Sequence, residues 1–186
     1  MFVNIWGKNI WYDIYGAEHS DTLLYLHGGP GASCLDFVNQ AKALSGKMRV
    51  VIFDQLGVLR SDAIAESESY SMEYQIEMVE EMRKILGIEK WSVLGHSYGG
   101  MLAVLYASAC PDSVHKIILE CPSLWFEDSA RSTAEYLSEH IHSLNNGEAV
   151  KLWEKVRFAD YQDKTEVVWD LSALLGYVTD MELRFY

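Results

Sequence analysis

Basic residues are scarce in this chain. Fifteen Lys and Arg stand against twenty-seven Asp and Glu, a formal net charge of −12 over 186 residues. With a pI near 4.8, that imbalance argues against nucleic acid as a partner. Cysteine is also sparse. Cys34, Cys110 and Cys121 are odd in number and irregular in spacing, which fits neither a disulfide framework nor a zinc site and suggests a reduced, cytoplasmic protein. No stretch approaches the ~18 uninterrupted apolar residues of a membrane span. Residues 1–8 lack the basic and apolar regions of a secretory leader, so no membrane association is expected. Metal-ligand spacing, a P-loop, a dinucleotide fingerprint, internal repeats and low-complexity tracts are all missing, so neither metal nor other cofactor is expected. What remains is ordinary globular composition, 49% hydrophobic and 23% charged, with mean hydropathy −0.03. It suits one domain with a small appendage.

Phe2–Trp6 and Asn9–Tyr15 read as an antiparallel hairpin turning at Gly7-Lys8. Thr22–Leu26, Arg49–Phe53, Trp91–Leu94 and Lys116–Glu120 are short, nearly all-apolar or β-branched runs. Between them, Asp36–Leu44, a helix capped by Ser71 and stopped by Gly87, and Ser97–Ala109 read as helices. Apolar strands alternating with helices predict a mostly parallel sheet with helices on both faces. The helix after Ser71 keeps Met72, Ile76, Val79, Met82 and Leu86 at helical spacing, and Glu73, Glu77, Glu80, Glu81 and Lys84 read as its solvated face. After Pro122 the texture changes. Residues 123–186 hold 10 of the 23 aromatics and 12 of the 27 acids against 6 basic residues, with helical periodicity and no buried strand. Residues 1–122 are therefore expected to form an α/β core with six strands. Residues 123–186 are expected to form a helical cap segment over the sheet, turning at Asn145-Asn146-Gly147.

Gly95-His96-Ser97-Tyr98-Gly99 matches G-x-S-x-G between a predicted strand and a predicted helix, the context that motif requires. A sharp turn there presents the Ser97 hydroxyl as a nucleophile, and only glycine-sized neighbours such as Gly95 and Gly99 fit beside it. His27-Gly28-Gly29-Pro30-Gly31 follows an earlier strand, where an oxyanion loop belongs. Acyl transfer builds negative charge on the former carbonyl oxygen, and two backbone N–H groups could hold it, those of Gly29 and Tyr98. The second donor opens a helix whose dipole also favours an anion.

Together, HGGPG, Asp54-Gln55-Leu56-Gly57, Leu86-Gly87-Ile88-Glu89-Lys90-Trp91 and GHSYGG resemble the proline iminopeptidase group of α/β-hydrolases, over about residues 1–130. The resemblance implies an eight-stranded core, a helical cap after the sixth strand, and a Ser–Asp–His triad in that chain order. It implies action on peptides or amides with a free N-terminal residue, often proline, and no cofactor. Ser97 takes the nucleophile's place and Gly29 and Tyr98 the oxyanion donors' places. His27, Gly28, Gly31, Gly95 and Gly99 support the two motifs, and Asp54 and Gln55 fall on a structural loop beside the site.

Two departures stand out. Leu56 occupies a position where the family commonly has Arg, and Gly57-Val58-Leu59-Arg60-Ser61 replaces a Gly-x-Gly-Arg-Ser run. The strand ends that carry the family's Asp and His are not in this sequence, so the 186-residue chain alone is expected to be a poor catalyst. His140 and His142 fall on a cap helix, where a solvent-facing position and an approach to Ser97 are both open. The acidic cap, net −6, suits a substrate amine or is solvated surface. Alternative readings are another ester or amide acylhydrolase, or a non-catalytic protein of this fold whose unpaired sheet edge invites self-association.

Overall fold

The computed structural model describes residues 1–29, 31–65, 67–122, 124–144, 146–157, 170–171 and 173–174. Six strands form one sheet: β1 (Phe2–Ile5), β2 (Lys8–Tyr15), β3 (Thr22–Leu26), β4 (Arg49–Phe53), β5 (Trp91–His96) and β6 (Val114–Glu120), in the order β1-β2-β4-β3-β5-β6. The first two strands run antiparallel, and β4, β3, β5 and β6 pair in parallel. The unbroken apolar runs follow from this position. Leu24, Leu26, Val51 and Phe53 face one core, whereas Tyr25, Val50 and Ile52 face a second one on the other side of the sheet. Each such side chain taken out of water stabilises the fold by about 1.5–3 kcal/mol.

The hairpin turns one residue earlier than its sequence suggests. Ile5 pairs with Lys8, so Trp6 and Gly7 are the turn residues, with φ of 50° and 88°. Two positive φ values in a two-residue loop match the right-handed twist of the flanking strands. Asn4 helps by accepting a 3.1 Å hydrogen bond from the Gly7 N–H through Oδ1, and Trp6 packs edge-on against Tyr74.

Helix α1 (Val38–Leu44) is shorter than expected, because Cys34–Phe37 form a preceding 3-10 turn capped by Ser33 Oγ. Helix α2 (Met72–Ile85) has Ser71 as its N-cap, accepting from the Tyr74 N–H. It buries Ile76, Val79 and Met82, and a left-handed Gly87 lies just beyond it. Its polar face is not all solvated. Glu80 accepts hydrogen bonds from Tyr106 on α3 (Tyr98–Ala109) at 2.7 Å and from Ser113 at 3.2 Å, and pairs with Arg83 at 2.6 Å. Arg83 and these hydroxyls outweigh the effect of burial and hold the Glu80 carboxyl down to about 2.

A second compact unit starts at Leu124. Its described residues form α4 (Phe126–His140), a 3-10 turn at Ile141–Leu144 and α5 (Gly147–Val156), with no strand among them. Asn146 caps α5 by accepting from the N–H groups of Glu148 and Ala149; Asn145 lies outside the described residues. Leu137, Ile141, Ala149, Trp153 and Val156 gather into this unit's own core with Leu171 and Leu174.

Candidate active site

The turn from β5 into α3 is built by close backbone approach. A Cβ on Gly95 would lie 2.2 Å from the Gly99 carbonyl oxygen, and one on Gly99 would lie 2.1 Å from that of Leu26. Neither position admits a side chain, so the start of α3 sits tight against the end of β3. Ser97 is at the corner with φ 51° and ψ −115°, a conformation costing a non-glycine residue about 1–3 kcal/mol. Two hydrogen bonds of 2.9 Å hold it there: the Ser97 N–H donates to the Glu120 carbonyl at the end of β6, and the Gly100 N–H donates to the Ser97 carbonyl. The side chain is half-buried and caps nothing.

The glycine loop after β3 meets this corner. A Cβ on Gly28 would lie 3.3 Å from Ser97 Cβ and 2.9 Å from His96 Cδ2, so the bare Gly28 backbone lies against the serine. Gly29 and Gly31 have φ of 125° and 97°, values that disfavour side chains; Pro30 lies outside the described residues. Tyr98 heads α3, where helix N–H groups lack intrahelical acceptors. Its phenol donates to Gln75 Oε1 at 2.9 Å and so ties α3 to α2.

His27 is fully buried and occupied at both ring nitrogens. Nε2 accepts from the Gln55 N–H at 3.0 Å, Nδ1 lies 2.8 Å from the Gly28 carbonyl, and Gln55 Nε2 donates to the His27 carbonyl at 3.1 Å. Burial pushes its imidazole below the usual range, so it stays neutral. His96 Nδ1 approaches the Glu120 carboxylate at 3.3 Å without hydrogen-bond alignment. His115 is the second residue of β6, near the opposite strand ends from Ser97. His140 and His142 belong to the second unit; His140 stacks on Tyr136 and its Nδ1 lies 2.7 Å from that residue's carbonyl. No hydrogen bond joins Ser97 Oγ to a side chain among the described residues.

Asp54 is the hub behind the glycine loop. Its buried carboxylate accepts from Ser33 Oγ at 2.7 Å, the Cys34 N–H at 3.3 Å and Arg60 Nε at 2.6 Å. Arg60 also lies over the Trp11 ring, 3.2 Å from its centroid, while the Ser61 hydroxyl donates to the Asp54 carbonyl and accepts from the Trp11 N–H. Burial pushes the Asp54 carboxyl up, but the bonds from Arg60, Ser33 and Cys34 win and hold it below the usual range. The same burial and the Asp54 charge push the Cys34 thiol far up, leaving it a poor nucleophile. Sequence reasoning placed Asp54 here but missed Arg60 and Trp11; the Arg-Ser pair six and seven residues beyond Asp54 was the available signal. Leu56, where the resemblance has Arg, is buried in the core. Among the described residues no cluster of His, Cys, Asp and Glu could hold a metal ion, and no helix is long and apolar enough to cross a membrane.

Comparison with known proteins agrees with this fold. A family model described as alpha/beta hydrolase fold matches residues 21–166. The chain is 39% identical over 108 residues to a proline iminopeptidase of Saccharolobus solfataricus, covering 57% of this chain and 35% of that one. It is 27% identical over 163 residues to a proline iminopeptidase of Heyndrickxia coagulans, covering 85% of this chain and 56% of the other. The crystal structure of a proline iminopeptidase-related protein from Thermus thermophilus superposes with a TM-score of 0.68 at 24% identity, over 74% of this chain and 49% of that one. The chain thus spans about a third to a half of the length of these curated relatives.

Proposed function

The chain belongs to the alpha/beta hydrolase fold family, and from that premise we propose that it is a serine hydrolase acting as its proline iminopeptidase relatives are named for. It releases an N-terminal residue from small peptides or amides through an acyl-enzyme on Ser97. One observation carries this reading: Ser97 is held at φ 51° on a strand-to-helix corner with the Gly28 backbone against its Cβ. Ser97 Oγ attacks the carbonyl carbon and gives its proton to a base. The Gly29 and Tyr98 N–H groups receive the oxyanion, and the amine leaves with a proton before water hydrolyses the ester. Each oxyanion donor contributes about 3–4 kcal/mol. No step uses a cofactor, and the three free cysteines suit the reducing cytoplasm.

His27 cannot be the base, since both its nitrogens are occupied. With no side chain bonded to Ser97 Oγ among the described residues, the 186-residue chain alone turns over slowly, keeping about 10³–10⁴ over water from binding and the oxyanion hole. The test uses an activated prolyl ester, whose leaving group needs little proton donation, followed by mass spectrometry of the peptide carrying Ser97. An acyl adduct absent from Ser97→Ala is expected. A folded protein with no adduct on that peptide would overturn the nucleophile assignment. Robust arylamide turnover, abolished by Ser97→Ala, would instead show that a base is present; loss in His140→Ala or His142→Ala would then name it.

A further inference from the structure

We propose that Gln75 is a positioning residue that aims the oxyanion donor of Tyr98, acting through the tyrosine's phenol. The proposal rests on the reading of Ser97 as nucleophile and of the Tyr98 N–H as an oxyanion donor. Gln75 falls on the apolar stripe of α2, three residues after Met72 and four before Val79, and is 6% exposed. Phe53, Leu56, Met78 and Leu102 line the same space. A buried amide among apolar side chains costs stability unless it is hydrogen-bonded. The bond that its oxygen makes leads to the head of α3.

The path runs through three groups. Gln75 Nε2 donates to the Ser71 carbonyl at 3.4 Å, which leaves Oε1 turned toward α3. Oε1 accepts from the Tyr98 phenol at 2.9 Å, and the same hydroxyl lies 3.3 Å from Met72 Sδ. Burial pushes that phenol up, so it stays protonated and donates. Tyr98 is the first residue of α3 and directly follows Ser97, whose ψ is −115°. The peptide joining them carries the Tyr98 N–H. With the phenol fixed on one side and the Ser97 backbone bonded on the other, that N–H has little freedom to swing. Donors aimed in advance stabilise an oxyanion best, because nothing must reorganise as charge develops. A separate bond holds the two helices together: Tyr106, eight residues further along α3, donates to Glu80 of α2 at 2.7 Å. At a rise of about 1.5 Å per residue it lies about 12 Å from the corner. It secures the body of α3, whereas the Gln75 bond acts on its first residue.

The test follows acylation of the whole chain by an activated prolyl ester, reading adduct growth on the Ser97 peptide against ester concentration. Gln75→Met keeps the size and loses the acceptor. It should lower the limiting acylation rate about tenfold with the half-saturating concentration unchanged, short of the about 10²–10³ lost with a whole donor. Tyr98→Phe should do the same, and the double variant should be no slower than either, because both remove one bond. Gln75→Glu keeps an oxygen facing the phenol and should recover at least about half of the wild-type rate. Tyr106→Phe should melt lower than wild type yet acylate as fast. Four results would overturn the proposal while leaving the nucleophile in place: a Gln75→Met rate within about twofold of wild type, additive losses in the double variant, a folded Gln75→Glu as slow as Gln75→Met, or an equal loss in Tyr106→Phe. A wild-type chain without adduct would overturn the Ser97 reading and this proposal with it.

Discussion

Replacing Asp54 with alanine should destabilise the fold by about 3 kcal/mol. The carboxylate is 0% exposed and accepts from Ser33, Cys34 and Arg60. Removing one side of a buried ion pair costs about 3–5 kcal/mol because the remaining charge loses its partner. Arg60 is 28% exposed and water recovers part of that loss, so the lower end applies. With a urea m-value of about 2 kcal/mol/M, the unfolding midpoint should fall by about 1.5 M. The effect has a pH signature. Asp54 in the fold sits below its ordinary value of 3.8, so its stabilisation is fully present above that pH and is lost as pH falls through the lower native value. The gap between wild type and Asp54→Ala, measured by urea unfolding across that range, should shrink toward acid. Asp54→Ala combined with Arg60→Met should cost less than the sum of the two single changes. A penalty under about 0.5 kcal/mol, a gap that widens toward acid, or strict additivity would refute the role given to this carboxylate.

Glu80→Gln should cost about 1–3 kcal/mol in urea unfolding. The stabilisation it removes lies above the ordinary 4.5 and disappears between there and about 2; a variant as stable as wild type at neutral pH would refute this. Gly99→Ala should lower the melting temperature sharply, because its methyl would meet the Leu26 carbonyl at 2.1 Å, whereas Gly46→Ala, whose methyl meets nothing within 4 Å, should be neutral or slightly stabilising. Similar melting temperatures for the two would mean the β5–α3 corner is looser than described. Ser97→Gly should be about 1 kcal/mol more stable than Ser97→Ala, because glycine alone escapes the strain at φ 51°. Equal stabilities would show that no strain is stored there.

The sheet and the serine corner were legible because their signals are local. Four apolar runs between helical spacings imply buried parallel strands, and Gly95, Ser97 and Gly99 on a strand-to-helix boundary imply a tight turn with no room for side chains. The turn at Trp6 was hidden because tryptophan rarely takes a positive φ, and only the pairing of Ile5 with Lys8 moves the loop by a residue. Glu80 read as surface because helical periodicity sorts residues by polarity, whereas its partners Tyr106 and Ser113 are 26 and 33 residues away. Arg60 was undervalued for the same reason. What holds it, Asp54 just past the end of β4 and the Trp11 ring on β2, comes from neighbours that meet only in the folded sheet.

The bond from the Ser97 N–H to the Glu120 carbonyl has a consequence for a chain emerging from the ribosome. The corner is synthesised more than twenty residues before one of the two groups that fix it, so a nascent chain ending short of Glu120 lacks one of the two hydrogen bonds that hold Ser97 in its costly conformation. Until β6 docks, that backbone is held by the Gly100 bond alone. The Ser97 corner therefore gains its full set of bonds late in translation, rather than when its own residues leave the exit tunnel.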